Sequence, residues 1–234
     1  MSELIFVRHG QASFGADNYD QLSPLGEAQG AALGRYWAEQ GATFDAVYVG
    51  PMQRHGQTLT AVHTHHPLPT PICLPELAEH QAMEAFQHTL PQLARRPDEL
   101  GEMAGRLVGE GRNGRLRLKA FVQFCHMWAQ GELDSGPFEP WSAFRQRVAH
   151  GIDTMLARAG NQQQIVAFTS GGVIAAAVGY ALDVDNGRTM QLNAAVYNGS
   201  LTTFRFTRRS DGVHFSLSQF NAIPHLAAAL QTYI

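Results

Sequence analysis

The sequence predicts an α/β protein: a three-layer α/β/α sandwich whose mostly parallel sheet is covered by helices on both faces and carries a helical insertion. Three observations point there. Short unbroken apolar runs at 4–7 (LIFV), 46–49 (AVYV) and 165–169 (IVAFT) read as strands buried on both sides. Each run is followed by turn residues and then by a stretch of helical pattern, and such alternation argues for a parallel sheet. Residues from about 80 to 160 carry only helical patterns, so they read as an insertion on that scaffold within one domain spanning 1–234.

Each element has its own local signals. The run Leu4–Val7 ends in Arg-His-Gly, a strand leaving through a turn. A helix follows in LSPLGEAQGAALGRYWAEQG, with Ser23 as its cap, Pro24 at its first position and Gly41 at its stop. Leu25, Ala28, Ala32 and Tyr36 give it an apolar face. Ala46–Val49 is the next strand, and a helix containing Arg54, Gln57 and Leu59 begins near Pro51. Ile72–Leu74, between prolines, reads as a short edge strand. The insertion holds RLRLKAFVQFCHMWAQG and WSAFRQRVAHGIDTMLARAG, joined by LDSGPFEP. Strand Ile165–Thr169 and helix Gly171–Leu182 come next. The chain then reads as paired strands, Leu201–Phe206 and His214–Gln219, around a turn signalled by Asp211-Gly212.

Composition narrows the function classes. Hydrophobic residues make up 44% and charged residues 16% of 234, ordinary for a globular protein. Net charge is −3 with no long basic run, which argues against nucleic acid as the main partner. The two cysteines, Cys73 and Cys125, form no metal-binding or redox pair. Met1 is followed by Ser, Glu and only four apolar residues, which is no signal peptide, and GGVIAAAVGYAL at 171–182 falls short of the ~20 residues a membrane span needs. A cytoplasmic protein that needs neither a membrane nor a cofactor is the expectation. The HTHHP stretch at 63–67 has no partner cluster in sequence, so no metal site is expected.

In open parallel sheets, ligands bind beyond the carboxyl ends of the strands. Four polar residues fall there: Arg8 and His9 after the first strand, Arg54 after the second and Ser170 after the fourth. Two guanidinium forks match phosphate in charge and geometry, and helices beginning near Pro51 and Gly171 would add N–H groups. Neither arginine has an acidic neighbour in sequence, so an anion between them would relieve their repulsion. A neutral imidazole at His9 can attack phosphorus, and Glu76 or Glu79 can protonate the leaving group. No carboxylate cage for Mg²⁺ is evident, which leaves charge stabilisation to the arginines.

LIFVRHGQ, DQLSPLGEAQ, GPMQRHGQTL, PELAEH and FTSGGVI together resemble, in content and order, the histidine phosphatase superfamily, the phosphoglycerate-mutase-like group. The resemblance implies that His9 is phosphorylated, that Arg8 and Arg54 clamp the phosphate, and that Glu79, in a Leu-x-Glu pattern, is the acid. Gly171 would serve phosphate binding, and Gln11 and Ser13 would contact substrate. Family members usually carry Ser-His-Gly-Gly where this chain has Thr-Ser-Gly-Gly, so Ser170 replaces a second pocket histidine. Losing one preorganised donor costs ~10²–10³ in rate.

From the residues alone, Ser170 has three readings: a serine nucleophile, a phosphate contact or a helix cap. The nucleophile motif G-x-S-x-G fails, because Phe168 stands where the first glycine belongs. The expected function is a metal-independent phosphatase acting on a small phosphorylated substrate through phospho-His9. The alternative is a catalytically weak relative that binds a phosphorylated ligand or protein. Mutase chemistry would demand a closed site with a long-lived phosphoenzyme, which the altered pocket makes harder. Residues 95–119 carry seven basic against four acidic side chains, either a basic lid steering anions or a solvated helix face.

Overall fold

In a computed structural model, residues 2–13, 20–110, 114–210 and 212–233 are described. The predicted turn at Asp211 therefore lies outside the described residues. The core of the fold is a six-stranded sheet in the order β3-β2-β4-β1-β5-β6. Its strands are β1 (Ser2–Arg8), β2 (Ala46–Val49), β3 (Ile72–Cys73), β4 (Gln164–Thr169), β5 (Leu201–Arg209) and β6 (Gly212–Ala222). The first four in spatial order are mutually parallel, and β5 runs antiparallel to both of its neighbours. The apolar runs are buried on both sides, as their continuity implies. Leu4 and Phe6 of β1, with Ile165 and Ala167 of β4, enter one core; Val7, Val166 and Phe168 enter the other.

Two helices cover the second face. They are α1 (Pro24–Gln40) and α2 (Gln53–His63), which supply Leu33, Trp37, Leu59 and Val62. The cap chemistry of α1 is as its sequence implies. Ser23 Oγ accepts from the Gly26 N–H at 3.1 Å, Pro24 opens the helix, and Gly41 ends it at φ 62°. The other face carries the larger core, built by α3 (Ala82–Leu93), α4 (Glu99–Glu110), α5 (Gly114–Gln130), α6 (Trp141–Arg158), α7 (Gly171–Leu182) and α8 (Asn186–Ala195). Phe86, Phe124, Trp128, Trp141 and Phe144 fill its centre, so the aromatic residues of the insertion are packing residues. Helix α8 escapes the sequence reading because it is short and shows little periodicity; Asp185 caps it through the Arg188 N–H at 3.0 Å. Strands β5 and β6 extend further than their apolar pattern, since their outer ends are exposed.

Part of the basic stretch is paired. Arg96 meets Asp98 at 2.7 Å and Lys119 meets Glu99 at 2.6 Å. No described helix is long and apolar enough to cross a membrane.

The turn after β1 is locked against the start of α1. A Cβ on Gly10 would lie 2.3 Å from the Gly26 carbonyl oxygen, and one on Gly26 would lie 2.2 Å from the Gln11 carbonyl oxygen. Backbone meets backbone there, so neither side can yield. Gly26→Ala should lower the unfolding free energy by ~1–3 kcal/mol, read as a drop in the urea midpoint with unchanged slope.

Candidate active site

Parallel pairing sets Arg8 opposite Thr169 at the carboxyl ends of β1 and β4. His9 continues β1 by one residue, its N–H donating to the Thr169 carbonyl at 2.8 Å. Ser170 continues β4 by one residue into α7. Strand β2 lies on the other side of β4, and its following helix brings Arg54 back to the same edge. His9, Arg54 and Ser170, predicted from strand ends, therefore share one buried place.

The tautomer of His9 follows from its neighbours. Arg54 Nε–H donates to His9 Nε2 at 3.2 Å, so Nε2 carries a lone pair. His9 Nδ1 then holds the proton and donates it to the Gly10 carbonyl at 2.7 Å. Burial, then the charges of Arg8 and Arg54 and the nearby His55, hold its pKa well below the ordinary histidine value, against the pull of the Gly10 carbonyl. His9 is a neutral imidazole with its Nε2 lone pair facing the arginine.

The motif residues after Arg54 hold the loops in place. Thr58 Oγ1 donates to the Arg54 carbonyl at 2.7 Å and accepts from the Gly10 N–H at 3.0 Å. Gln57 Oε1 accepts from the Leu22 N–H at 2.7 Å. Arg54 has an acidic partner that sequence proximity does not reveal. Asp20 meets its guanidinium at 2.8 Å and also accepts from the Gln53 N–H at 2.9 Å, capping α2, whose own cap residue Met52 has no side-chain acceptor.

Arg8 points to the far side of the site. Its guanidinium donates to the carbonyls of Val196 and Tyr233, the latter at 2.8 Å, beneath a Tyr197–Tyr233 stack at 4.0 Å. The segment carrying Tyr233 is fastened by a buried glutamine that the sequence reading passed over. Gln29 Nε2 donates to the Leu230 carbonyl at 2.7 Å and to Thr232 Oγ1 at 2.9 Å, while its Oε1 accepts from the Gln11 N–H at 2.7 Å. An amide on the buried side of α1 was the available signal.

Glu79 reaches the N-terminus of α7. Its carboxylate accepts from the Gly172 N–H at 3.1 Å and from the His80 N–H at 2.9 Å. Burial pushes this carboxyl up, but His80, the two N–H donors and Arg54 outweigh it and hold it below the usual glutamate value. Space beside it is tight: a Cβ on Gly172 would lie 2.2 Å from Glu79 Oε1 and displace that carboxylate, and one on Gly171 would lie 2.8 Å from Asn193 Oδ1 and 3.4 Å from Arg8 Nε. Gly171 thus lies next to Arg8. Glu76 instead packs against α6, where a Cβ on Gly151 would come within 2.7 Å of its own Cβ. Arg147 of α6 steadies the segment between the two glutamates by donating to the carbonyls of Glu76 and Ala78 at 2.8 and 3.1 Å.

Gln11 and Ser13 are engaged within the loop. Gln11 Oε1 accepts from Ser23 Oγ at 2.9 Å, and Ser13 Oγ donates to the Leu22 carbonyl at 3.0 Å. Ser170 stands at the cap position of α7 but makes no side-chain cap bond. Its hydroxyl lies 2.7 Å from Nε2 of His55, a residue the sequence reading did not single out although it adjoins Arg54. His80 packs against Trp128, Trp141 and Phe144, and His225 against Tyr36.

Burial, then the Arg54 charge, push His55 down to about 3, against opposing pulls from Glu79 and Asp20. A histidine with a depressed native pKa stays neutral while the unfolded chain takes a proton. Its contribution to stability is complete above the unfolded pKa of ~6.5 and is lost as pH falls from there through about 3. At pH 5 His55 alone should have forfeited ~2 kcal/mol, with His9 adding in the same direction. Urea midpoints between pH 8 and pH 5 should therefore be flat at first and then fall, and His55→Gln should flatten the fall.

The profile of the histidine phosphatase superfamily (branch 1) matches residues 4–115 and 98–217. No curated protein matches the chain. Solved structures share the fold at low identity. The phosphoserine phosphatase of Entamoeba histolytica, solved with phosphoserine and with 3-phosphoglyceric acid, is 17% identical with a TM-score of 0.63, covering 97% of this chain and 100% of its own. A mycobacterial glucosyl-3-phosphoglycerate phosphatase is 16% identical with a TM-score of 0.61, covering 94% and 98%. YhfR of Bacillus stearothermophilus is 16% identical with a TM-score of 0.67, covering 96% and 99%. With the family profile spanning most of the sequence, this chain belongs to the histidine phosphatase superfamily.

Proposed function

We propose that the protein is a phosphatase that hydrolyses a phosphomonoester through a phosphohistidine on His9. The observation that carries this is the fixed tautomer of His9: a neutral ring, its Nδ1 proton bound to the Gly10 carbonyl, and its Nε2 lone pair held beside Arg54. A phosphoryl group entering between His9 and Arg54 replaces the Nε–Nε2 hydrogen bond with contacts to its own oxygens. The Nε2 pair then forms the N–P bond as the ester P–O bond breaks, with Arg54 and Arg8 balancing charge on the equatorial oxygens.

The leaving oxygen needs a proton, and Glu79 is the nearest carboxyl to the α7 N-terminus. It is held ionised before substrate arrives. A dianionic phosphate beside it disfavours that charge and raises its pKa, which lets Glu79 bind a proton and pass it to the leaving group. The resulting carboxylate then takes a proton from the water that attacks phosphorus and breaks the N–P bond. Structural relatives that act on or hold phosphorylated molecules support this class of substrate, among them complexes with phosphoserine and with inorganic phosphate.

Rapid quench with a labelled phosphomonoester should trap a base-stable, acid-labile phosphohistidine, and His9→Ala should abolish it with a loss of ~10³-fold or more in kcat. Turnover that survives His9→Ala, or binding of phosphate without turnover of any aryl or alkyl ester, would overturn the assignment. Glu79→Gln should cost ~10²-fold or more with alkyl phosphates and far less with p-nitrophenyl phosphate, whose leaving group needs no proton.

A further inference from the structure

The helix after β2 delivers two consecutive side chains to two strand ends. Arg54 bonds His9 beyond β1, and His55 bonds Ser170 beyond β4. The two imidazoles lie with ring centroids 5.8 Å apart. His55 and Ser170 are both fully buried, and the fold makes room for the ring: a Cβ on Gly50 would fall 2.4 Å from His55 Nδ1. A buried imidazole beside a guanidinium is an expensive way to fill space, since an aliphatic side chain would do so without desolvating a polar ring. Ser170, for its part, spends no hydroxyl bond on capping α7. A two-residue contact between positions 115 apart in the chain accounts for both features.

We infer that His55 is a positioning residue for Ser170, and that the pair together supplies one hydrogen bond to the phosphoryl group bound at His9. This rests on the phosphatase reading above. A hydroxyl has one proton and two lone pairs. Nδ1 of His55 meets no hydrogen-bond partner. The single proton of the neutral ring is therefore assigned to Nε2, since a buried lone pair without a partner is less costly than a buried N–H without one. With Nε2–H donating to Ser170 Oγ, the Ser170 proton is directed to a phosphoryl oxygen, and the chain N–H to O–H to oxygen polarises each donor in turn. No proton leaves the pair, and no bond to phosphorus is made by it. The neutral ring suffices for this role. The arrangement also means that a histidine placed at 170 in this chain would contest the space that His55 already fills.

The test is a double-mutant cycle on the single-turnover rate of His9 phosphorylation. Ser170→Ala and His55→Ala should each lower that rate by ~10²–10³-fold with little change in KM. The double variant should be no worse than either single one, because both remove the same hydrogen bond. His55→Gln, which keeps an amide N–H, should retain more activity than His55→Ala. Ser170→His alone should be as poor as Ser170→Ala, whereas Ser170→His combined with His55→Ala should recover at least ~10-fold over His55→Ala, the new ring taking the vacated space. Additive losses, a wild-type rate in His55→Ala, or no recovery in the combined variant would overturn the inference and leave the phosphatase assignment standing. Should the unaltered protein show no turnover, that assignment fails, and the same cycle read as vanadate affinity by calorimetry still decides the coupling. Equal, non-additive losses support it, and additive or absent losses reject it. Variants with altered far-ultraviolet circular dichroism are replaced by Ser170→Ala and His55→Gln, which change the least volume.

Discussion

The parallel pairing of β1 with β4 is the constraint from which the site follows. It sets Arg8 opposite Thr169, so the chain leaves both strands at the same height and His9 and Ser170 emerge side by side. The hydrogen bond from His9 N–H to the Thr169 carbonyl continues the ladder by one rung into the site itself. Connections from these two strands cross opposite faces of the sheet: α1 on one, α7 and α8 on the other. In open parallel sheets, ligands bind at the strand ends where such connections diverge. His9 and Ser170 come from the strand ends themselves, and Arg54 and His55 return to that edge on α2.

The electrostatic arrangement keeps itself in balance. Two arginines and two buried imidazoles in one place would be costly if all were charged. Burial and the arginines keep both rings neutral, and Asp20 takes one face of Arg54. Glu79 sits on the N–H groups of α7, where helix geometry favours a negative charge. Under the proposed function, a phosphate entering this site would exchange one set of hydrogen bonds for another rather than meet bare charges.

The sheet and the strand-end residues were legible because both rest on local pattern. Unbroken apolar runs mark doubly covered strands, and the residues that follow them necessarily stand at one edge. Arg8, His9, Arg54 and Ser170 could be named on that basis, whereas Glu76 and Glu79 were named only as carboxyls after the proline-bounded segment, the family resemblance favouring Glu79. What escaped depends on contacts distant in sequence. Asp20 reaches Arg54 from a loop 34 residues upstream, and His55 finds Ser170 across 115 residues. His55 was in view, next to Arg54, yet a histidine inside a helix carries no sign of which way it faces. Gln29 hides in a helical pattern where a single amide on the buried side reads as a lapse in amphipathicity. Helix α8 is fixed by packing against α7 and α5 rather than by its own periodicity.

The fastening of residues 230–233 has a consequence for the order in which the protein is made. Strands β1, β2 and β4, with His9, Arg54, Glu79 and Ser170, are all synthesised by residue 170. Arg8 nevertheless finds one of its carbonyl partners at Tyr233, and Gln29 spends both its amide donors on Leu230 and Thr232. A nascent chain can therefore bring β1, β2 and β4 together while one arginine and one buried amide still await residues 230–233. These partners of Arg8 and Gln29 thus lie at least 60 residues beyond the strand end at Ser170 that shares their site.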